Sequence, residues 1–215
     1  MRVSTPALLG LALATSSALI AQPGEDPAQT SAKFTEVFFK GDRKAILQAC
    51  ADQARAIKPK DAKWLAEYGR AYLAALDRAK AEAAFKEALA KEPKDGEVHR
   101  LIANAWLKHG YKAEALEAYG RILSVDPGNK EALLTAATDL AEVGLTSDAD
   151  RFMNAYVAKE KDDWKAFLQV GRAFLQSGNR DRAAKWFARA VAIKPKEEKV
   201  FLEISRAFAE SQAVL

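Results

Sequence analysis

One cysteine and two histidines in 215 residues leave little material for redox, metal or nucleophilic chemistry. With Cys50 alone, no disulfide can close within the chain, so packing has to hold the fold. Cys50 falls in an apolar stripe with Ile46, Leu47, Ala54 and Ile57 at helical spacing, which predicts a small buried hydrophobe rather than a bridging thiol. His99 and His109 have no cysteine or carboxylate set at metal-ligand spacing around them, so neither a metal nor a cofactor is expected. No glycine-rich loop that could cradle phosphate is present, and no Gly-x-Ser-x-Gly elbow, so the chain is not expected to be an enzyme. Charge is nearly balanced, with 33 basic against 29 acidic residues and a net charge of +4. So small a surplus gives no long-range pull on a phosphate backbone, and nucleic acid is excluded as a partner.

Long apolar runs are also missing. The apolar stretch Ala7 to Ala21 carries no charge but falls short of the roughly 20 residues a helix needs to cross a bilayer. It follows Arg2 and precedes the polar run Gln22-Pro23-Gly24-Glu25-Asp26-Pro27, the layout of an export signal cleaved after Ala21 or Ala18. Residues 1–21 are therefore read as a signal peptide and 22–27 as a linker. The expected location is the periplasm or the secreted space, with no stable membrane insertion after cleavage. No cysteine follows the apolar run, so a lipid anchor is not expected.

What the chain does have is a period. Pro59, Pro93 and Pro127 stand 34 residues apart, Pro195 lies two further periods on, and Lys161 fills the missing mark. A fixed period of this size belongs to stacked-repeat architectures, in which one unit cannot bury its apolar face alone. With each proline at the thirty-second position, units run over 28–61, 62–95, 96–129, 130–163 and 164–197, with a closing segment at 198–215. The fourth position reads Leu65, His99, Leu133, Phe167 and Phe201, and the eleventh reads Tyr72, Trp106, Leu140, Phe174 and Phe208. The eighth is always small, at Gly69, Ala103, Ala137, Gly171 and Ser205. The twentieth is alanine in Ala81, Ala115, Ala149 and Ala183. The twenty-fourth is large, at Phe85, Tyr119, Met153 and Phe187, and the twenty-seventh holds Ala88, Ile122, Tyr156 and Ala190. A small residue where two helices cross admits a large one opposite.

These columns resemble the tetratricopeptide repeat over about residues 28–215. The resemblance implies an all-α, right-handed superhelical solenoid of antiparallel helix pairs, with a C-terminal closing helix. Gly110, Gly144 and Gly178 share the fifteenth position, where the first helix must stop in a left-handed residue. Leu76 stands there in the second unit, which predicts a turn of different construction. The prolines end the second helices, and the turn 159–163, which has Lys161 instead, should be looser. Asp162-Asp163 and Glu197-Glu198 fall at unit boundaries, where they are expected only to solvate turns. Residues 28–61 read as a degenerate first repeat with Phe34 and Phe38 in the large columns. In the closing helix, Phe201, Ile204 and Phe208 are expected to face inward and to leave a polar outer face.

The resemblance also implies that the first helices line an inner wall at the second, fifth, ninth, twelfth and thirteenth positions. The candidate partner-binding residues on that wall are Arg70, Arg100, Asn104, Lys108, Thr138, Arg172 and Arg206. Leucines such as Leu73, Leu107, Leu168 and Leu175 are expected to form an apolar floor. Guanidinium groups beside such a floor suit a peptide carrying a carboxylate. Some members of the family clamp a partner's C-terminal carboxylate with lysine, asparagine and arginine. Arg100, Asn104 and Lys108 share one face here, but Ala66 and Thr138 depart from that clamp. The expected function is a protein–protein interaction scaffold or adaptor in the cell envelope or secreted space, binding a peptide or protein segment on its concave face. The alternatives are an envelope-polymer binder or a regulatory subunit of an envelope enzyme. A polymer binder would expose aromatics on the inner wall, so Trp64, Trp164 and Trp186 are the residues that decide it.

Overall fold

The structure is a computed structural model that describes residues 43–57 and 61–211. The signal segment, the linker, Phe34 and Phe38 of the first unit, and Pro59 lie outside the described residues. The described residues form ten helices and no strand. They are α1 (Arg43–Ile57), α2 (Ala62–Ala74), α3 (Arg78–Lys91), α4 (Gly96–Lys108) and α5 (Lys112–Val125), then α6 (Lys130–Glu142), α7 (Thr146–Val157), α8 (Trp164–Gln176), α9 (Arg180–Ile193) and α10 (Glu198–Glu210).

Each first helix packs on its own second helix, as α2 on α3, α4 on α5, α6 on α7 and α8 on α9. It also packs on the next first helix, so α2, α4, α6, α8 and α10 form a continuous inner row. The result is an all-α repeat solenoid. Its core is the set of repeat columns read along the stack. Leu65, Leu133, Phe167, Tyr72, Leu140 and Phe174 are buried, as are the four alanines of the twentieth position. At Gly69 an added Cβ would sit 2.1 Å from the Phe85 ring, and at Gly171 it would sit 2.5 Å from the Phe187 ring. Glycine is there because the ring needs the space.

Local chemistry starts and stops the helices. Asp61, Asp95, Asn129 and Asp163, themselves spaced by the period, cap α2, α4, α6 and α8 by accepting hydrogen bonds from first-turn N–H groups. Asp163 thus does more than solvate a turn, since its carboxylate also accepts the Tyr156 hydroxyl at 2.6 Å. Helices α3, α5 and α9 each end two residues before their proline. Helix α7 has no proline to stop it and ends earlier in its unit, at Val157. Its joint is tied by the Tyr156–Asp163 bond and by an ion pair between Lys130 and Glu160.

Three expectations are corrected. Leu76 adopts φ +58°, beside +84°, +73° and +80° at Gly110, Gly144 and Gly178. The N–H of Asp77 reaches the Tyr72 carbonyl at 2.9 Å, as Tyr111 reaches Trp106 and Leu145 reaches Leu140. The turn is therefore the same Schellman closure, with a leucine forced into the left-handed region. Cys50 is exposed rather than buried. Helix α1 meets the next unit through Gln48, Asp52 and Arg55, which bond to Asp77, Tyr72 and Glu87. Cys50 lies two residues from both Gln48 and Asp52, on the far side of the helix. Finally, Phe201 and Phe208 of α10 are half exposed instead of inward-facing. In the inner units these columns are covered by the second helix of the same unit, and among the described residues none covers α10.

Candidate binding groove

Successive first helices turn their exposed sides toward one inner surface. Between α6, α8 and α10 that surface deepens into a cavity of about 920 Å³. Every residue lining it comes from a first helix. Trp164, Lys165, Leu168, Gln169, Arg172 and Gln176 of α8 form the floor and near wall. Helix α10 adds Lys199, Leu202, Glu203 and Arg206, and α6 adds Thr138 and Glu142. Lys165, Arg172, Lys199 and Arg206 thus face only two acids, Glu142 and Glu203.

Glu203 organises the centre. It accepts from Arg172 at 2.6 Å across the helix pair and from Arg206 at 2.5 Å one turn away. Two guanidinium groups on one carboxylate leave donors pointing into the cavity, because each carries five N–H bonds in a fixed fork. Beside them, Gln169 donates to the Thr138 hydroxyl at 3.1 Å, and that hydroxyl in turn donates to the Leu134 carbonyl at 2.9 Å. Leu168 and Leu202 run between these polar groups as an apolar strip.

The structure thus brings Thr138, Arg172 and Arg206 together in one cavity, and sets the other candidates elsewhere. Arg100 is mostly buried and forms a two-pronged pair with Glu97, at 2.8 and 2.6 Å. Its other nitrogen lies 3.7 Å from Asp139 of α6. Asp139 is 8% exposed and accepts the Tyr119 hydroxyl at 2.8 Å. Burial pushes the Asp139 carboxyl above the ordinary range, against the opposing pull of Tyr119, Asn104 and the Arg100 charge. Burial and the neighbouring carboxylate push the Tyr119 hydroxyl up far more strongly. Arg100 and Asn104 therefore belong to a buried polar cluster joining α4, α5 and α6. Lys108 pairs with Glu142 at 3.0 Å on the groove rim. Arg70 stands apart on α2, paired with Glu67 at 2.5 Å.

Of the leucines expected as an apolar floor, Leu168 lines the cavity and those of the twelfth column do not. Leu73, Leu107, Ala141 and Leu175 of the twelfth column are buried between successive first helices. The sixth column, seen in Gln169 and Glu203, reaches the cavity in their place. Of the three tryptophans, only Trp164 lines the groove; Trp186 is fully buried and Trp64 lies outside it.

The tetratricopeptide repeat profile matches residues 66–132 and again 134–198, together more than half of the chain. The chain belongs to the tetratricopeptide repeat family. Its repeats make it a protein–protein interaction scaffold, a fold that presents surfaces rather than reactive groups. Solved structures similar to it include two of MamA, each 19% identical. Their TM-scores are 0.45 and 0.46, and the matches cover 77% of this chain and 96% and 90% of theirs. A third is YrrB, described as a TPR protein with an unusual peptide-binding site, at 18% identity and a TM-score of 0.44, covering 81% of this chain and 89% of that one. No curated protein matches the chain. Among the groove residues that the column reading did not single out are Lys165, Gln169, Lys199 and Glu203. Lys165 and Lys199 occupy the second column already assigned to the inner wall, so the signal for them was present. Glu203 and Gln169 carried none, since the sixth column lies outside the inner-wall columns that the resemblance implies and meets the cavity only in the packed array.

Proposed function

We propose that this tetratricopeptide repeat protein is an exported scaffold that holds a segment of a partner protein in the groove between α6, α8 and α10. The observation that carries this reading is the cavity of about 920 Å³ with Arg172 and Arg206 held on Glu203 beside the Leu168–Leu202 strip. Arginines already fixed by a carboxylate lose little side-chain entropy on binding, and apolar area beside them adds affinity without orientation. A single half-buried indole, Trp164, offers a polysaccharide little stacking surface, so a protein segment is the favoured occupant. The export part of the reading rests on Arg2 and the uncharged Ala7–Ala21 run.

Affinity capture from the source cell envelope tests the groove, using wild type beside an Arg172→Ala, Lys199→Ala, Arg206→Ala variant. The expected result is a partner recovered by wild type and lost with the variant at unchanged helicity. Recovery of the same partners by both would remove the groove reading. Mass spectrometry of the protein made in an exporting host tests the leader. A mature N-terminus at Leu19 or Gln22 is expected, and an intact Met1 start in the cytoplasm would overturn export.

A further inference from the structure

Helix α10 is docked on the array through Val200 and Ala207, yet its repeat columns stay open. Phe201 and Phe208 are 50% and 49% exposed. Their counterparts in α8, Phe167 and Phe174, are fully buried because α9 covers them. The small column, Ser205, lies exposed between the two rings. An apolar surface built to receive a second helix is thus presented at the α9–α10 edge. Phe208 reaches Phe187 of α9 at 6.2 Å, which extends that surface across both helices.

Charges at the two ends of this surface specify what fits it. Arg180 stands at the seventeenth position of its unit, as Arg78 does in an inner one. Arg78 reaches forward 2.9 Å to Glu114, at the nineteenth position of the following unit. Glu198 opens its unit where Lys130 stands in another, and Lys130 pairs with Glu160, just past the end of its own second helix. A helix seated on α10 therefore meets a cation at its first turn and an anion at its last. The complementary helix is acidic at its start and basic at its end, an order that the helix dipole also favours. Between them it carries a small residue, with large ones four and seven positions later, on one face.

The chain's own second helices do not carry this charge order. At the two positions concerned they have Lys80 and Glu92, Glu114 and Asp126, Asp148 and Glu160, or Arg182 and Lys194. A second copy of the protein is the poorer fit on charge. We infer that an amphipathic helix of another protein, acidic at its N-terminal end and basic at its C-terminal end, docks across α9 and α10 as the second helix of a sixth unit. This surface is separate from the groove. Phe201, Ser205 and Phe208 are offset by two residues from Lys199, Glu203 and Arg206, which places them on nearly opposite sides of α10.

A fluorescein-labelled peptide of residues 112–126 bearing Asp126→Lys tests the proposal. It also carries Arg121→Lys joined by a lactam to Glu117, two exposed positions, so that helix formation does not limit binding. Fluorescence anisotropy should show saturable binding to the full chain, weakened at least about tenfold by Phe201→Ser with Phe208→Ser. Arg180→Glu should weaken binding as well, and a peptide with Glu114→Arg should recover it. The groove variant Arg172→Ala, Arg206→Ala should bind the peptide as wild type does. Absence of saturation up to millimolar protein, or equal binding by the double serine variant with native helicity, overturns the proposal. A wild-type dimer in sedimentation that the serine substitutions dissociate would assign the surface to a second copy instead.

Discussion

In the stretch from α4 to α6, the inner-facing charges are spent on the protein itself; from α8 to α10, they face an open cavity. Arg100 is consumed by Glu97 and by buried Asp139, and Tyr119 and Asn104 close the cluster. Arg172 and Arg206 share Glu203, which is about one-third exposed, and the remaining donors of both face solvent. Position along the repeat does not decide between these outcomes, since Asn104 shares the ninth position with Arg172 and Arg206 yet joins the buried cluster. The decision comes from the neighbouring unit, which supplies a buried acid in one case and a partly exposed one in the other. A charge that bridges two packed helices becomes part of the fold, and one that shares an exposed partner stays available.

The largest test of that contrast removes the two acids in turn. Asp139→Leu leaves the Tyr119 hydroxyl and the Arg100 guanidinium without their shared acceptor and is expected to cost about 3 kcal/mol in denaturant unfolding. Glu203→Gln removes the corresponding acid in the groove and should cost less than about 1 kcal/mol, because that pair is partly solvated and the glutamine amide can still accept a hydrogen bond. Equal losses would erase the distinction between the two regions. The same contrast has a pH signature. The Asp139 carboxyl is raised in the folded chain, so the folded state holds its proton more tightly than the unfolded state does. Ionising it therefore destabilises the fold as pH rises from the unfolded value, about 3.9, to the higher folded one. Asp139→Asn should remove this contribution, so its stability relative to wild type should climb across that window and then level off. A difference that is flat with pH would contradict the buried placement of Asp139.

The eighth column sharpens the comparison at a smaller scale. The central units carry Ala103 and Ala137 there, whereas the flanking ones carry Gly69 and Gly171 beneath the rings of Phe85 and Phe187. Gly171→Ala should cost about 2 kcal/mol by overpacking, and so should Gly69→Ala. Gly120→Ala, which meets nothing within 4 Å, should instead gain about 0.5–1 kcal/mol. The smallest expected effect is at the turns. Leu76→Gly relieves a left-handed leucine worth roughly 1–2 kcal/mol of strain but adds freedom to the unfolded chain, for a net gain of about 0.5–1 kcal/mol. A loss on thermal unfolding would mean that the exposed Leu76 side chain contributes more than its backbone costs.

Much of the fold was legible because its signals are local. The glycines of the fifteenth position, the prolines and the alternating large and small columns each act within one helix pair. The caps at Asp61, Asp95, Asn129 and Asp163 recur with the same period, yet as single polar residues at unit boundaries they could not be told from residues that merely solvate a turn. The binding surface was legible only in outline. Arg172, Arg206 and Thr138 meet in the cavity, whereas Arg100 and Asn104, equally suitable by type and spacing, turn toward Asp139. Cys50 looked buried by helical spacing, but its helix offers a polar face to the next unit. Periodicity shows which residues share a face and not which face a neighbour covers.

The sequence by itself determined that this chain is a stack of helix pairs, because a 34-residue period of large, small and turn residues leaves no other way to bury its apolar faces. Tertiary structure alone decided which charges remain available. Their partners stand about one repeat away, as Glu203 does for Arg172 and Glu142 for Lys108, and only the packing of adjacent first helices brings them within reach. The packing of first helix on first helix also lines the cavity at α8, and the rings of α10 stay uncovered because, among the described residues, no second helix of its own unit packs on it.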